Sequence, residues 1–181
     1  MITTTTQTAL LEVSGHHPYV TTGAELAGVD LIGASVASRC AYYQQVCQLP
    51  ALIDPDSGQI IVFAGRVQAV MVPWALGQRV RSSLSRSDAG CGPIVFHPKS
   101  GSWTFITNSD LGIDPTADDT LFWRGHVVVL ASGIPIALPT PTATNADPCR
   151  EWELPPTSPQ RPMTHTVLNA VRICLKRGGT R

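Results

Sequence analysis

Short runs of β-branched and apolar residues, each ended within a few positions by glycine or proline, constrain this fold more than any other feature of the chain. These runs are Ile60–Phe63, Val67–Val72, Ile94–Phe96, Trp103–Thr107, His126–Leu130 and Ile134–Leu138. Apolar runs of this kind between turn residues predict β-strands. With 15 glycines and 15 prolines in 181 residues, many turns are favoured over a helical bundle. We therefore expect one α/β or α+β domain, with a small mixed or antiparallel sheet and flanking helices.

The spacing of the first four runs predicts two hairpins. Ile60–Phe63 and Val67–Val72 are divided only by Ala-Gly-Arg, so an antiparallel pair turning at Gly65 is expected. Ile94–Phe96 and Trp103–Thr107 flank the loop H-P-K-S-G-S, whose glycine is suited to a bend. The two strands of each hairpin should be neighbours in the sheet.

The later runs predict three more strands. His126–Leu130, rich in valine, is expected to be a buried strand that pairs with Ile134–Leu138 across Ser-Gly. Glu151–Leu154 follows a segment rich in proline and threonine and is expected to be an edge strand. Asp54–Gly58, D-P-D-S-G, predicts a turn, because aspartate accepts hydrogen bonds from nearby backbone amides.

Apolar residues recur at helical spacing in three segments: Ala24–Leu49, Trp74–Leu84 and Met163–Arg177. We predict a loosely ordered leader over residues 1–23 and a domain over residues 24–156. Residues 157–181 are expected to form a linker and a C-terminal helix that packs on this domain.

Charges are segregated along the chain although the formal net charge is zero. Residues 60–109 hold five basic residues and one acidic residue, and residues 160–181 hold five basic residues and none acidic. The basic segments either share one surface that faces nucleic acid or neutralise the acidic segments within the fold.

Cysteine usage and the N-terminus predict the compartment. The five cysteines have irregular spacing, which predicts reduced, mostly buried thiols rather than a disulfide framework or a zinc site. The first residues lack the pattern of a secretory signal, and no apolar stretch is long enough to span a membrane. A cytoplasmic protein without a membrane partner is expected.

Three motifs follow one another in a characteristic order. They are Gly65–Pro73 (G-R-V-Q-A-V-M-V-P), Gly92–Ile106 (ending H-P-K-S-G-S-W-T-F-I) and Arg124–Pro141 (beginning R-G-H-V-V-V-L-A-S-G), with E-W-E-L-P-P after them. Over roughly residues 60–155, this order resembles the N-terminal domain of bifunctional DNA primase/polymerases. The resemblance implies a primase/polymerase-like fold and an ancestry connected with DNA replication.

The same resemblance implies a degenerate active site. In the family, a strand with an acidic D-x-D-type pair holds two metal ions, but Gln68, Met71 and Pro73 occupy the matching positions here. Trp103 stands where the family has a histidine that contacts nucleotide phosphate, and His97 at the other end of the loop is interpreted as a surface or packing residue. We predict no catalytic residue, no bound metal and no cofactor. His16 and His17 are likewise expected to be solvent-exposed rather than metal ligands.

Seven residues are candidate nucleic-acid contacts, because guanidinium and ammonium groups bind phosphates and indoles stack on bases. They are Arg66, Arg79, Arg81, Arg86, Lys99, Trp103 and Arg124. For the arginines the alternative is a solvated helix face, and Trp74 is interpreted as a core residue.

Three functions follow from these patterns. The first is a non-enzymatic accessory or regulatory factor linked to nucleotides or to single- or double-stranded DNA. The second is a module that binds a protein partner or a second copy of itself. The third is an active transferase whose metal ligands have moved to Asp54, Asp56 or Asp88.

Overall fold

The structure is a computed structural model that describes residues 35–87, 90–110, 120–141 and 150–178. The predicted leader, with His16 and His17, lies outside the described residues. So do residues 24–34 of the first predicted helix, Asp88 and Cys149.

Four helices and eight strands are described. In chain order they are α1 Val36–Gln45, β1 Leu52–Ile53, β2 Ile60–Phe63, β3 Val67–Pro73, α2 Trp74–Leu84, β4 Ile94–His97, β5 Ser102–Asn108, α3 Thr120–Arg124, β6 Val128–Val129, β7 Pro135–Ala137, β8 Glu151–Leu154 and α4 Thr164–Gly178. None of these helices is both long and apolar enough to cross a membrane.

The strands form two sheets in which every neighbouring pair is antiparallel. The larger sheet has the order β6-β3-β5-β4-β8, and the smaller has the order β1-β2-β7. The longest ladder of the larger sheet joins all seven residues of β3 to β5, from Val67 opposite Asn108 to Pro73 opposite Ser102. The predicted α+β class with antiparallel sheets and flanking helices is confirmed.

Side-chain alternation along β3 gives the larger sheet two buried faces. Val70 and Val72 belong to a core shared with α2, α3 and α4. Val67 and Ala69 point the other way, into a core shared with α1 and the smaller sheet. The larger sheet is therefore a middle layer between helices on one face and the smaller sheet with α1 on the other.

Several local predictions are confirmed. Helix α2 has the predicted bounds, β4 pairs with β5, and β8 lies at the edge of the larger sheet beside β4. The turn between β4 and β5 contains Gly101, whose φ of 60° is in the left-handed region that favours glycine. These elements depend on periodicity and turn chemistry within a few residues.

Two predicted strand pairs are wrong. β2 and β3 do not pair with each other, since β2 pairs with β1 and β7 while β3 pairs with β5 and β6. Likewise β6 and β7 lie in different sheets. The predicted strand His126–Leu130 shortens to β6, whose residues are half-buried or exposed rather than fully buried.

Both wrong pairs have one physical reason. The segment between β2 and β3 and the segment between β6 and β7 are hydrogen-bonded to each other, and both bend there. The Ala64 N–H donates to the Ile134 carbonyl at 2.9 Å, and the Gly133 N–H donates to the Ala64 carbonyl at 2.8 Å. On one side of this bend β2 pairs with β7, and on the other side β3 pairs with β6. Both segments therefore change sheets at the same place. Gly65 lies at a corner between sheets and not in a hairpin turn.

The first predicted helix ends earlier than expected. Helix α1 begins after Ser35, whose side chain accepts a hydrogen bond from the Ser38 N–H, and it ends at Gln45 rather than Leu49. Gln48, with a φ of 49°, cannot continue a right-handed helix.

The C-terminal helix packs on the rest of the fold. Helix α4 contacts α2, α3, β3 and β5, and it buries Val167, Val171 and Cys174 in the helix-side core. The described cysteines, Cys40, Cys47, Cys91 and Cys174, are buried and unpaired, which confirms the prediction of buried thiols for this part of the chain.

Candidate nucleic-acid interface

A groove between α2 and α4 brings two of the predicted cationic residues together with a third that sequence reasoning missed. Its volume is about 320 Å³. The described residues that line it are Gln78, Arg79, Ser82, Ser83, Arg86, Cys174 and Arg177, and we call them the basic groove.

Helical spacing explains why these side chains share one side of α2. Leu76, Val80 and Leu84, four residues apart, are buried in the helix-side core. Residues 78, 79, 82 and 83 lie beside this apolar stripe, on the side toward α4, and Arg86 follows just beyond the end of the helix. Because α2 and α4 pack against each other, the last turn of α4 forms the opposite wall.

Arg79 connects the two walls. Its Nη1 donates a hydrogen bond to the Cys174 carbonyl at 3.1 Å. A Cβ atom at Gly178 would lie only 2.7 Å from this Nη1, so glycine makes room for the guanidinium. A cation at a helix C-terminus interacts favourably with the helix dipole. Arg79 therefore stabilises the end of α4 and also lines the groove.

The charge of the groove is unbalanced. Its described lining carries three guanidinium groups and no carboxylate. Arg86 and Arg177 are exposed, and Ser83 and Gln78 add neutral polar groups. Guanidinium groups bind phosphate oxygens through charge-assisted, frequently bidentate hydrogen bonds. The groove is suited to an oxyanion such as a backbone phosphate.

Arg81 does not contribute to the groove. It lies two residues from Arg79, which on an α-helix corresponds to the opposite side. Its Nη1 forms an ion pair with Glu153 Oε1 on β8, and both side chains are partly buried. The positive charge of Arg81 is thus neutralised within the fold.

The prediction that Trp103 contacts nucleic acid is wrong. Trp103 is 2% exposed, in the helix-side core beneath α2. A Cβ at Gly77 would lie 2.7 Å from its Cε3 atom, so the helix approaches the indole closely. No face of the ring is open to a base. Trp74, interpreted as a core residue, is instead 47% exposed.

The other predicted residues lie apart from the groove lining. Arg66 precedes β3, Lys99 is in the turn between β4 and β5, and Arg124 ends α3. All three are exposed. Trp123, beside Arg124, is 79% exposed and was not singled out by sequence reasoning. The basic groove thus unites two of the seven predicted residues, Arg79 and Arg86.

The positions matched to the family's acidic pair, Gln68, Met71 and Pro73, lie on β3 but do not all share a face. By alternation, Gln68 is on the side of the helices, and Met71 is on the side of the smaller sheet. Opposite Met71 stands Thr104, whose Oγ1 is 2.8 Å from His97 Nε2. His97 is half-buried, which fits its interpretation as a packing residue.

Two of the three carboxylates predicted as relocated metal ligands lie in a turn of the smaller sheet rather than on β3. Asp54 and Asp56 lie in the turn between β1 and β2, and Asp54 accepts hydrogen bonds from Ser57. Within the described ranges, no three histidine, cysteine, aspartate or glutamate residues are grouped so that they could hold a metal ion.

No protein-family model, curated protein or solved structure matches this chain. The primase/polymerase resemblance therefore remains an interpretation of motif order and carries no residue roles into the structure.

Arg177 and Arg161 line cavities of the structure but were not among the candidate nucleic-acid contacts selected from the sequence. Arg177 was assigned to the end of the terminal helix, where lysine and arginine are common, and Arg161 to an extended linker. Both belong to the basic segment 160–181, and that segment was the available signal. Its contact with residues 60–109 depends on tertiary structure.

Proposed function

We propose that this protein is a cytoplasmic, non-enzymatic accessory factor that binds the phosphate backbone of DNA through the basic groove. One observation carries the proposal: Arg79, Arg86 and Arg177, from two helices, line one groove whose described residues include no carboxylate. A protein with zero formal net charge that concentrates three cations in this way attracts polyanions locally.

The composition of β3 supports a non-enzymatic role. Metal-dependent phosphoryl transfer needs carboxylates that hold the ions. Gln68, Met71 and Pro73 stand at the positions that the primase/polymerase resemblance assigns to such ligands. We propose a primase/polymerase-like domain that retains DNA binding without transfer chemistry.

The state of the cysteines supports the proposed compartment. Cys40, Cys47, Cys91 and Cys174 are buried thiols without disulfides. Free thiols persist in reducing compartments such as the cytosol.

Fluorescence anisotropy with labelled single-stranded DNA tests the proposal at several salt concentrations. Wild-type protein should bind, and its affinity should fall as salt rises. The double variant Arg86→Gln with Arg177→Gln should bind at least about tenfold more weakly. Because two phosphate contacts are lost, the slope of log affinity against log salt should become shallower by about 1.4. Arg79 is left in place because it also holds α4.

Lys99→Gln with Arg124→Gln is the matched control, since it also removes two positive charges, from exposed positions outside the groove lining. It should bind DNA as the wild type does. Equal losses in the control and in the double variant would reject the groove as the binding site. Addition of Mn²⁺ and nucleotide triphosphates should not produce primer extension, and extension would instead favour a transferase.

Self-association is a second candidate, favoured by an exposed apolar patch at the end of the smaller sheet. Phe63 on β2 is 49% exposed, and Ile134, next to its partner Pro135, is 46% exposed. A second copy of the chain would bury these side chains. Light scattering distinguishes the two functions: a dimer that binds no DNA would favour self-association.

A further inference from the structure

A second cavity lies where β3 begins and β5 ends, outside the basic groove. Its volume is about 680 Å³, within the range of roughly 300–1,000 Å³ that is typical of small-molecule sites. Polar residues on its lining include Gln44, Gln48, Arg66, Asn108, Ser109 and Arg161. We call this cavity the two-arginine pocket.

Arg161 is held in the pocket by neutral acceptors. Its Nε donates to Asn108 Oδ1 at 3.1 Å, and its Nη1 donates to the Cys47 carbonyl at 2.8 Å. A guanidinium carries five N–H donors, so these two contacts leave other N–H groups available to a ligand. The orientation of Arg161 is set by the protein before any ligand arrives, which reduces the entropy lost on binding.

The charge of Arg161 lacks a counter-ion within the described chain. The side chain is half-buried, and burial lowers the pKa of its guanidinium from the ordinary value. Among described residues, its polar contacts are the Asn108 amide and a backbone carbonyl, not a carboxylate. A half-buried cation without a counter-ion gains more from an anionic ligand than a fully solvated cation does.

The backbone of Arg66 is held next to the residue that binds Arg161. The Ser109 N–H donates to the Arg66 carbonyl at 3.0 Å, while the preceding residue, Asn108, binds Arg161. The Arg66 side chain is exposed and has no ion-pair partner among the described carboxylates. Together the arginines present two positive charges, which match the charge of about −2 on a phosphate monoester.

The remaining wall suits the organic part of a ligand. Pro50 is exposed and provides apolar surface next to the amides of Gln44 and Gln48, and the buried side chains of Leu49 and Val67 also contribute to this wall. The Gln44 amide donates to the Ala51 carbonyl at 2.7 Å. Gln48 takes a positive φ of 49°, a conformation that is uncommon for residues other than glycine and is found at ligand sites.

We infer that the two-arginine pocket binds a small organic phosphate of about mononucleotide size, with its phosphate on Arg66 and Arg161. The apolar wall then packs against the base or another apolar group of the ligand. This inference does not rest on DNA binding by the basic groove, because the two sites share no described lining residue.

Isothermal titration calorimetry with adenosine monophosphate tests the inference. The comparison ligands are adenosine, citrate and inorganic phosphate. Adenosine monophosphate should bind more tightly than all three. Arg66→Gln should weaken its binding at least about tenfold, because one charge-assisted contact is lost. Arg124→Gln, with the same charge change at an exposed position outside both sites, should leave the affinity unchanged.

Several results would overturn the inference. These are no binding of adenosine monophosphate at millimolar concentration, adenosine binding equally well, citrate binding as tightly, or equal weakening by Arg124→Gln. Circular dichroism of Arg66→Gln checks its fold. If that variant is unfolded, Arg66→Lys decides instead: it keeps the charge but not the fork geometry, and it should bind more weakly than wild type. Unchanged binding would then reject the site.

Discussion

His97 shows how a single half-buried residue makes stability depend on pH. Its Nε2 is 2.8 Å from Thr104 Oγ1. Burial, and secondarily the positive charge of Arg150, lower the pKa of His97 from its ordinary value of 6.5. The folded protein therefore keeps this imidazole neutral at pH values where the unfolded chain is already protonated.

Stability should accordingly fall as the pH drops from 6.5 toward the lower pKa of folded His97, since the unfolded state binds the extra proton. His97→Gln should lose this part of the pH dependence. Urea unfolding between about pH 7.5 and about pH 5.5 measures it. His126→Asn is the control. His126 is exposed and has a left-handed backbone, a conformation that asparagine tolerates, so this variant should keep the wild-type pH dependence of stability. Identical profiles for wild type and His97→Gln would contradict the prediction.

Residue types alone identified the candidate cations but not their surroundings. Arg79 and Arg81 looked equivalent on α2, yet one holds the end of α4 and the other pairs with Glu153. Trp103 looked like a base-stacking residue until the close approach of Gly77 showed it to be core. Burial and ion pairing depend on residues far away in the chain, so local patterns did not predict them.

At the scale of elements, the start of α4 is fixed by residues at the end of β5 and just after it. Asp110 Oδ2 accepts a hydrogen bond from the His165 N–H in the first turn of the helix. Thr164 Oγ1 donates a hydrogen bond to the Asn108 carbonyl and is 2.9 Å from Thr107 Oγ1. The helix is thus capped by residues more than fifty positions earlier, which a local capping motif would not reveal.

Asp110→Ala should therefore destabilise the protein, because it removes an acceptor and a negative charge from the N-terminus of α4. The free energy of unfolding should fall by about 0.5–2 kcal/mol. Chemical denaturation followed by circular dichroism measures the change. Asp56→Ala, an exposed aspartate in the turn between β1 and β2, is the control and should change stability by less than about 0.5 kcal/mol. Equal effects would argue against the cap.

The strand elements separate into those with local and those with distant partners. β4 and β5 are joined by a short turn, and turn chemistry predicted their pairing. β2 and β3 are also close in sequence, but each finds better partners elsewhere, and the Gly65 segment bends between sheets. A short interval containing glycine permits either outcome, so the wrong hairpin was predicted.

At the scale of the whole molecule, one tyrosine joins three distant segments on the face opposite α2 and α4. Tyr43 on α1 is 1% exposed. Its hydroxyl donates to the Pro139 carbonyl at 2.9 Å and accepts from Trp152 Nε1 at 2.8 Å. The rings of Tyr43 and Trp152 also meet edge to face, with centroids 5.8 Å apart. This contact ties α1 to β8 and to the segment after β7.

Tyr43→Phe should lower the free energy of unfolding by about 1–3 kcal/mol, because it leaves a buried carbonyl and an indole N–H without their partner. Tyr42→Phe is the matched control. The Tyr42 hydroxyl donates to the Pro156 carbonyl at 3.0 Å, but this side chain is only partly buried, so the loss should be smaller. Thermal and urea unfolding of both variants give the comparison, and a larger effect at Tyr42 would refute it.

The amino-acid sequence by itself determined the α+β class, the bounds of α2 and the pairing of β4 with β5. These follow from apolar periodicity and turn residues within about ten positions. Only the tertiary structure decided the partners of β2, β3, β6 and β7, the burial of Trp103, and the meeting of Arg177 with Arg79 and Arg86. Those outcomes are set by contacts between residues far apart in the chain, where packing and charge outweigh local preference.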